Sequence, residues 1–177
     1  MKPRIALIYS TVDGHTRKIS SYLQNQLKEN NIESDLYALE EFTKEISSYE
    51  FIIIGASVRY GHHNKNVIKF INTHKNDLNK IKTAFFSVNL VARKPEKNSP
   101  ETNPYFIKFM KKLNWKPDLV DVFAGKLYYP AYPFFDRFMI KLIMIMTKGP
   151  THTNTPVEYT DWNRVKAFGD KIIESFK

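Results

Sequence analysis

The sequence predicts an α/β domain built on a five-stranded, doubly wound parallel sheet. Short apolar runs recur along the chain, continuous rather than alternating, which is how strands buried on both faces read. Helix-length stretches with apolar residues at helical spacing separate them. Strands alternating with helices make βαβ units and hence a parallel sheet. The 177 residues fit one domain at ~100–200 residues per domain, so a single unit is expected over 1–177.

Ile5-Ala6-Leu7-Ile8-Tyr9 is the first strand. A helix over 16–29 follows, with Ile19, Tyr22, Leu23 and Leu27 on one face. Residues 35–39 form a weaker strand, and 51–56 (FIIIGA) the strongest in the chain. Residues 65–80 read as a helix with Val67, Ile68, Ile71 and Leu78 inward, and 83–90 (TAFFSVNL) as the fourth strand. Asn103-Pro104 is an N-cap followed by proline at the first helical position. The helix it opens carries Phe106, Phe109, Met110 and Leu113. Residues 119–125 are the fifth strand, and a last helix begins after Thr160 or Asp161. The alternation breaks once, over 126–154, before Thr155-Pro156-Val157-Glu158-Tyr159 resumes as a strand. An insertion that splits the fifth strand is the simplest account.

Composition narrows the function. With 42% apolar and 25% charged residues the chain is globular, not disordered. Absence of cysteine excludes disulfides, thiolate metal sites and a cysteine nucleophile. Lys plus Arg exceed Asp plus Glu by 27 − 18 = 9, which points to anionic partners. The basic residues are spread and no nucleic-acid motif appears, so a nucleic-acid binder is disfavoured. The apolar run after MKPR is too short for a signal peptide, and a cytoplasmic location is expected.

In doubly wound sheets ligands bind beyond the carboxyl ends of the strands, so the loops at 10–16, 57–64 and 90–98 are the candidates. Ser10-Thr11-Val12-Asp13-Gly14-His15-Thr16 joins a strand to a helix start, where free N–H groups and the helix dipole favour an anion. It lacks the lysine of a P-loop and the extra glycines of G-x-G-x-x-G. Its hydroxyls suit a terminal phosphomonoester such as that of FMN; an ordinary capped turn is the competing reading. Ser57-Val58-Arg59-Tyr60-Gly61-His62 offers backbone for a flat ring, one arginine and one aromatic. Asn89-Leu90-Val91-Ala92-Arg93-Lys94 is basic and carries no aromatic. His62 and His63 are adjacent, but no third ligand is near and no metal is expected. His15 and His74 read as surface residues.

These loops, in this order, resemble the flavodoxin superfamily. The strings GASVRYGHH, SVNLVARKPEK and DRFMIKLIM, with a terminal YTDW, are similar to the bacterial flavodoxin-type menaquinone-dependent protoporphyrinogen IX dehydrogenases, over essentially the whole chain. The resemblance implies a flavodoxin-like strand order, 2-1-3-4-5, and FMN as cofactor. It implies removal of six electrons from protoporphyrinogen IX in haem synthesis, with menaquinone or another quinone as acceptor. It also implies a peripheral place on the inner face of the cytoplasmic membrane. Carried over, Ser10 to Thr16 take the phosphate, and Ser57 to His62 and Asn89 to Lys94 take the ring. Two departures from an electron-carrier flavodoxin stand out: the basic charge, and Leu90 and Val91 where a stacking aromatic is expected. An NAD(P)H–quinone reductase and a flavodoxin-like electron carrier are the rival readings.

In the insertion, residues 134–146 are mostly apolar yet too short to span ~30 Å of hydrocarbon, which needs ~20 residues. As a helix they set Arg137, Lys141 and Lys148 on one stripe, opposite Phe135, Phe138, Leu142 and Met146. That pattern suits an anionic membrane surface; packing on the domain itself or on a second copy in a homo-oligomer is the alternative. Arg93, Lys94, Lys97, Arg137 and Lys141 are the basic candidates to hold the substrate's propionates.

Overall fold

A computed structural model describes residues 5–152 and 154–176; of the single unit expected over 1–177, residues 1–4, 153 and 177 lie outside it. The elements run β1 (Ile5–Ser10), α1 (His15–Glu29), β2 (Ser34–Ala38), β3 (Phe51–Arg59), β4 (His62–His63), α2 (Lys65–Leu78), β5 (Lys82–Val88), α3 (Pro104–Met110), β6 (Leu119–Phe123), β7 (Lys126–Leu127), α4 (Phe134–Met146), β8 (Val157–Glu158) and α5 (Trp162–Phe176).

The main sheet has the parallel order β2-β1-β3-β5-β6, which is the expected 2-1-3-4-5 once the short β4 is set aside. Its central strands β1, β3 and β5 are buried on both faces because alternate residues feed two separate cores. Ile5, Leu7, Phe51, Ile53 and Phe86 pack with Leu23, Leu27, Phe168 and Ile172 under α1 and α5. Ala6, Ile8, Ile52, Ile54 and Phe85 pack with Val67, Ile71, Phe106 and Phe109 under α2 and α3. Register pairs Ser10 with Ala56, Ser57 with Val88 and Val88 with Phe123. The chain therefore leaves β1, β3, β5 and β6 at one edge of the sheet, where the functional loops gather.

Two expectations are corrected. The stretch 57–64 is not an open loop: β3 continues to Arg59 and turns back on β4 through Tyr60 and Gly61, both at positive φ (51° and 76°). Positive φ at both central residues is the signature of a tight primed hairpin turn, and the apolar run ending at Ala56 gave no sign of it. The resumed fifth strand does not rejoin the main sheet. β8 pairs antiparallel with β7 in a separate ribbon, and the Tyr159 N–H donates to the Gly125 carbonyl at 3.1 Å. The insertion returns to the point it left, so its two ends meet running in opposite directions. It carries its own small core of Leu127, Tyr129, Tyr132, Ile140 and Met144.

Candidate functional site

The turn between β1 and α1 is built around Gly14, whose φ of 78° places it in the left-handed region that favours glycine. No side chain caps α1 among the described residues. Inside this turn the Thr16 hydroxyl is buried, and neither it nor the buried hydroxyl of Thr11 has a hydrogen-bond partner among the described residues. An unsatisfied buried hydroxyl costs about 1–3 kcal/mol. Two of them beside free N–H groups at a helix start make a cradle waiting for an acceptor-rich anion.

His15 is buried rather than on the surface, which corrects its reading. Its Nε2 stands 2.6 Å from Thr160 Oγ1. That hydroxyl spends its proton on the Ala124 carbonyl at 2.8 Å, so the imidazole is the donor. Burial lowers the pKa of His15. The residue ties the first turn to the chain that returns from the insertion. His74 is half-buried against Phe70.

One cleft at the sheet edge collects Thr11, Asp13, His15 and Thr16, then Ser57, Val58, Arg59, Tyr60 and Gly61, then Asn89, Leu90 and Val91. The other sequence candidates lie off it. Ser10 is buried at the end of β1, Val12 is exposed, and Gly14 shapes the turn. His62 is exposed on the outer strand of the hairpin, Ala92 is buried beneath its loop, and Lys94 is half-buried. Arg93 does not face the cleft: it donates to the Leu90 carbonyl at 2.8 Å and to the Thr147 carbonyl and hydroxyl at 3.0 Å each. It latches the end of α4 to the third loop.

Sequence reasoning missed Val88, Tyr105, Gly125, Lys126, Tyr132, Ile140 and Ile143, all of which line the cleft. Most belong to the insertion, which reads as an appendage until α4 is seen to form a wall of the site. Proline-flanked Tyr132 was the one available signal.

Arg59, the one arginine of the second candidate loop, donates to Asp13 Oδ1 at 2.5 Å across the cleft, with its guanidinium 5.2 Å from the centre of the Tyr132 ring. Burial raises the Asp13 pKa, and Arg59 opposes that rise. The Tyr60 hydroxyl donates to the Asp136 carboxylate and ties the hairpin tip to α4.

Behind the third loop runs a buried polar chain. His63 Nε2 lies 2.8 Å from Ser87 Oγ, to which Asn89 Nδ2 donates at 3.3 Å. Asn89 Oδ1 accepts from the Ala92 N–H at 3.1 Å and from Asn103 Nδ2 at 3.1 Å. Asn103 in turn caps α3 through the Phe106 N–H. Burial pushes the His63 pKa down to about 3, so a neutral imidazole anchors the chain. This network fixes the 89–92 backbone against the cleft.

Helix α4 buries Ile140 and Met144 and presents Phe134, Phe135, Phe138, Leu142, Ile145 and Met146 to solvent, Phe134 and Met146 at 85% and 82% exposure. Arg137 and Lys148 are exposed, and Lys141 lies 3.0 Å from His152 Nε2. The basic stripe therefore borders the exposed apolar face rather than standing opposite it. The side opposite the apolar face belongs to the insertion's own core.

Comparison with known proteins matches residues 6–154 to the flavodoxin domain family. A relative from Escherichia coli K12, protoporphyrinogen IX dehydrogenase [quinone], is 47% identical over 94% of this chain and 92% of its own. One of the same name from Leishmania major is 42% identical over 94% of this chain and 73% of its own. Among solved structures, flavodoxin 1 from Bacillus cereus aligns with a TM-score of 0.56 at 14% identity, covering 96% of this chain and 97% of that one. A Fusobacterium nucleatum flavodoxin bound to flavin mononucleotide aligns with a TM-score of 0.51 at 15% identity, covering 98% of each chain. At that identity the structural likeness shows the fold.

Proposed function

From its membership of the flavodoxin domain family, and within it of the quinone-linked protoporphyrinogen IX dehydrogenases, we propose that this chain oxidises protoporphyrinogen IX to protoporphyrin IX and passes the electrons to a quinone. The observation that carries the reading is the 47% identity over 94% of the chain.

The cofactor is FMN, and the residues present fit it. The orphaned hydroxyls of Thr11 and Thr16 and the uncapped start of α1 suit its phosphate. The Ser57–Gly61 backbone and Asn89 to Val91 suit its ring. When bound, FMN supplies two-electron redox chemistry that no side chain can. The protein contributes shape and exclusion of water. Tyr132, Ile140 and Ile143 wall the cleft from α4, and the His63–Ser87–Asn89–Asn103 chain holds the third loop in place. The Arg59–Asp13 pair takes one cation and one carboxylate out of the cleft's charge, and Lys126 stays on its lining.

The finer reading places the protein on an anionic membrane surface through the outer face of α4. No helix among the described residues is long and apolar enough to cross a membrane. The support for docking is the run of exposed Phe and Leu on α4 bordered by Arg137 and Lys148, and menaquinone is the acceptor that such a surface brings near.

The test is anaerobic mixing of the FMN-loaded protein with protoporphyrinogen IX and menaquinone, reading protoporphyrin fluorescence. Quinone-dependent appearance of porphyrin is expected. No porphyrin from a protein with full flavin content refutes the reading, and rapid flavin bleaching by NAD(P)H instead supports the reductase.

A further inference from the structure

A second, smaller cleft opens beside the first, between the Tyr60–Gly61 turn and α3. Gly61, His62, Tyr105, Lys108 and Lys112 line it, over an apolar floor that includes Phe109. Gly61 and Tyr105 line both clefts. Any side chain on Gly61 would come within 3.3 Å of the Tyr105 ring, so that ring closes directly on the backbone of the turn and forms the partition between them.

The charge around this second cleft is uncompensated. Lys108 and Lys112 are exposed and four residues apart, and the chain from 102 to 117 contains no Asp or Glu. None of the ion pairs among the described residues engages either lysine. Lys108 stands in the last turn of α3 and Lys112 just beyond its end. In the main cleft Arg59 is paired with Asp13, and Lys126 lines it at the start of the insertion. An anionic group that passes Tyr105 meets the charge of Lys108 and Lys112 on the far side of that ring.

We infer that this cleft is the carboxylate-binding end of the substrate site. This rests on the proposed oxidation of protoporphyrinogen IX. The tetrapyrrole lies in the main cleft against Tyr105, and a propionate reaches past the ring to Lys108 and Lys112, with His62 at the rim. A largely apolar macrocycle gains little orientation from an apolar wall. A charge-assisted contact at one edge decides which side of the ring enters first. It also separates dicarboxylic porphyrinogens from uncharged analogues.

The experiment compares the FMN-loaded parent with Lys108→Glu/Lys112→Glu, using protoporphyrinogen IX and its dimethyl ester. Binding of protoporphyrin IX and of its ester is followed separately by porphyrin fluorescence. Both positions are exposed, so flavin content and circular dichroism should match the parent. For the free acid, KM and the porphyrin Kd should rise about tenfold, the scale of a lost charge-assisted contact. The quinone KM should stay fixed. For the ester, parent and variant should agree within about twofold, both near the variant's value for the acid. An equal rise for acid and ester would overturn the inference, because the lysines would then act on the macrocycle or the fold. Parent-like values for the acid would overturn it as well. A parent that holds FMN but does not oxidise protoporphyrinogen overturns the proposed function and this inference together, and that result is read before any variant is made.

Discussion

Replacing Thr16 by Val should move stability and cofactor affinity in opposite directions. The Thr16 side chain is fully buried and its hydroxyl has no partner among the described residues. Valine has nearly the same shape and removes the unsatisfied group. The apoprotein is therefore relieved of a desolvation cost of about 1–3 kcal/mol, of which roughly 1 kcal/mol should be recovered once packing differences are counted. If the hydroxyl is held in reserve for the FMN phosphate, the same change deletes a hydrogen bond to a charged group, worth ~1.5–3 kcal/mol. That is a loss of about tenfold to a hundredfold in FMN affinity, at 1.4 kcal/mol per decade. The assay pairs urea unfolding of the apoprotein with titration by FMN, reading quenching of flavin fluorescence. A variant apoprotein less stable than the parent would mean that the hydroxyl has a partner, water included. Unchanged FMN affinity would place the phosphate elsewhere.

Three further outcomes are expected. The folded state holds His63 well below its unfolded pKa of ~6.5. The unfolded chain therefore binds the extra proton, and stability is lost as pH falls through that value. Between pH 7.5 and 5.5 the loss from this residue should be about 1.4 kcal/mol, and urea midpoints should show it in the parent and not in His63→Gln. Arg59→Met should lower kcat/KM for porphyrinogen more than His62→Ala does, since Arg59 lines the cleft and His62 is exposed outside it; the reverse order in steady-state assays would point to acid–base chemistry at the hairpin. Phe135→Ser/Phe138→Ser should release the protein from anionic vesicles with flavin retained, each side chain contributing ~1.5–3 kcal/mol at most. Arg137→Glu should release it partly and mainly at low salt, at ~1 kcal/mol per basic residue. Parent-like co-sedimentation would refute the anchor, and a change in oligomeric state would assign that face to a second copy.

The sheet was legible because its signal is local. A strand buried on both faces must be apolar throughout, so FIIIGA and TAFFSV declare themselves without knowledge of their neighbours. The first turn was legible for the same reason: hydroxyls, one glycine and a helix start are adjacent in sequence. The Tyr60–Gly61 hairpin was not, because a tyrosine at positive φ runs against local preference and is held by what surrounds it, here the tether to Asp136. The pairing of Arg59 was not legible because its partner, Asp13, lies 46 residues away and only the closed sheet brings the two loops together. Arg93 likewise finds Thr147 across 54 residues. Charged residues were the hardest to place: a count gives the net charge, but not which cations are already paired.

Helix α4 joins the cleft to the exposed apolar surface. One side of it, Ile140 and Met144, belongs to the insertion's own core. Ile140 also lines the cleft with Ile143, and the outward side carries Phe134, Phe135, Phe138 and Leu142. A helix with its side chains is only ~10–12 Å across, so a surface that receives the outer face lies about that far from the cleft. The latches that hold α4, Tyr60 to Asp136 at one end and Arg93 to Thr147 at the other, come from the hairpin and the third loop, the segments that suit the flavin ring. The wall of the cleft and the exposed apolar face are then parts of one helix, and docking through that face would bring the cleft to the membrane. An electron carrier that must leave one protein partner for another has no use for such a coupling. An enzyme whose acceptor is dissolved in lipid has a use for it, and that is what the proposed docking through the exposed phenylalanines and the basic residues beside them would supply.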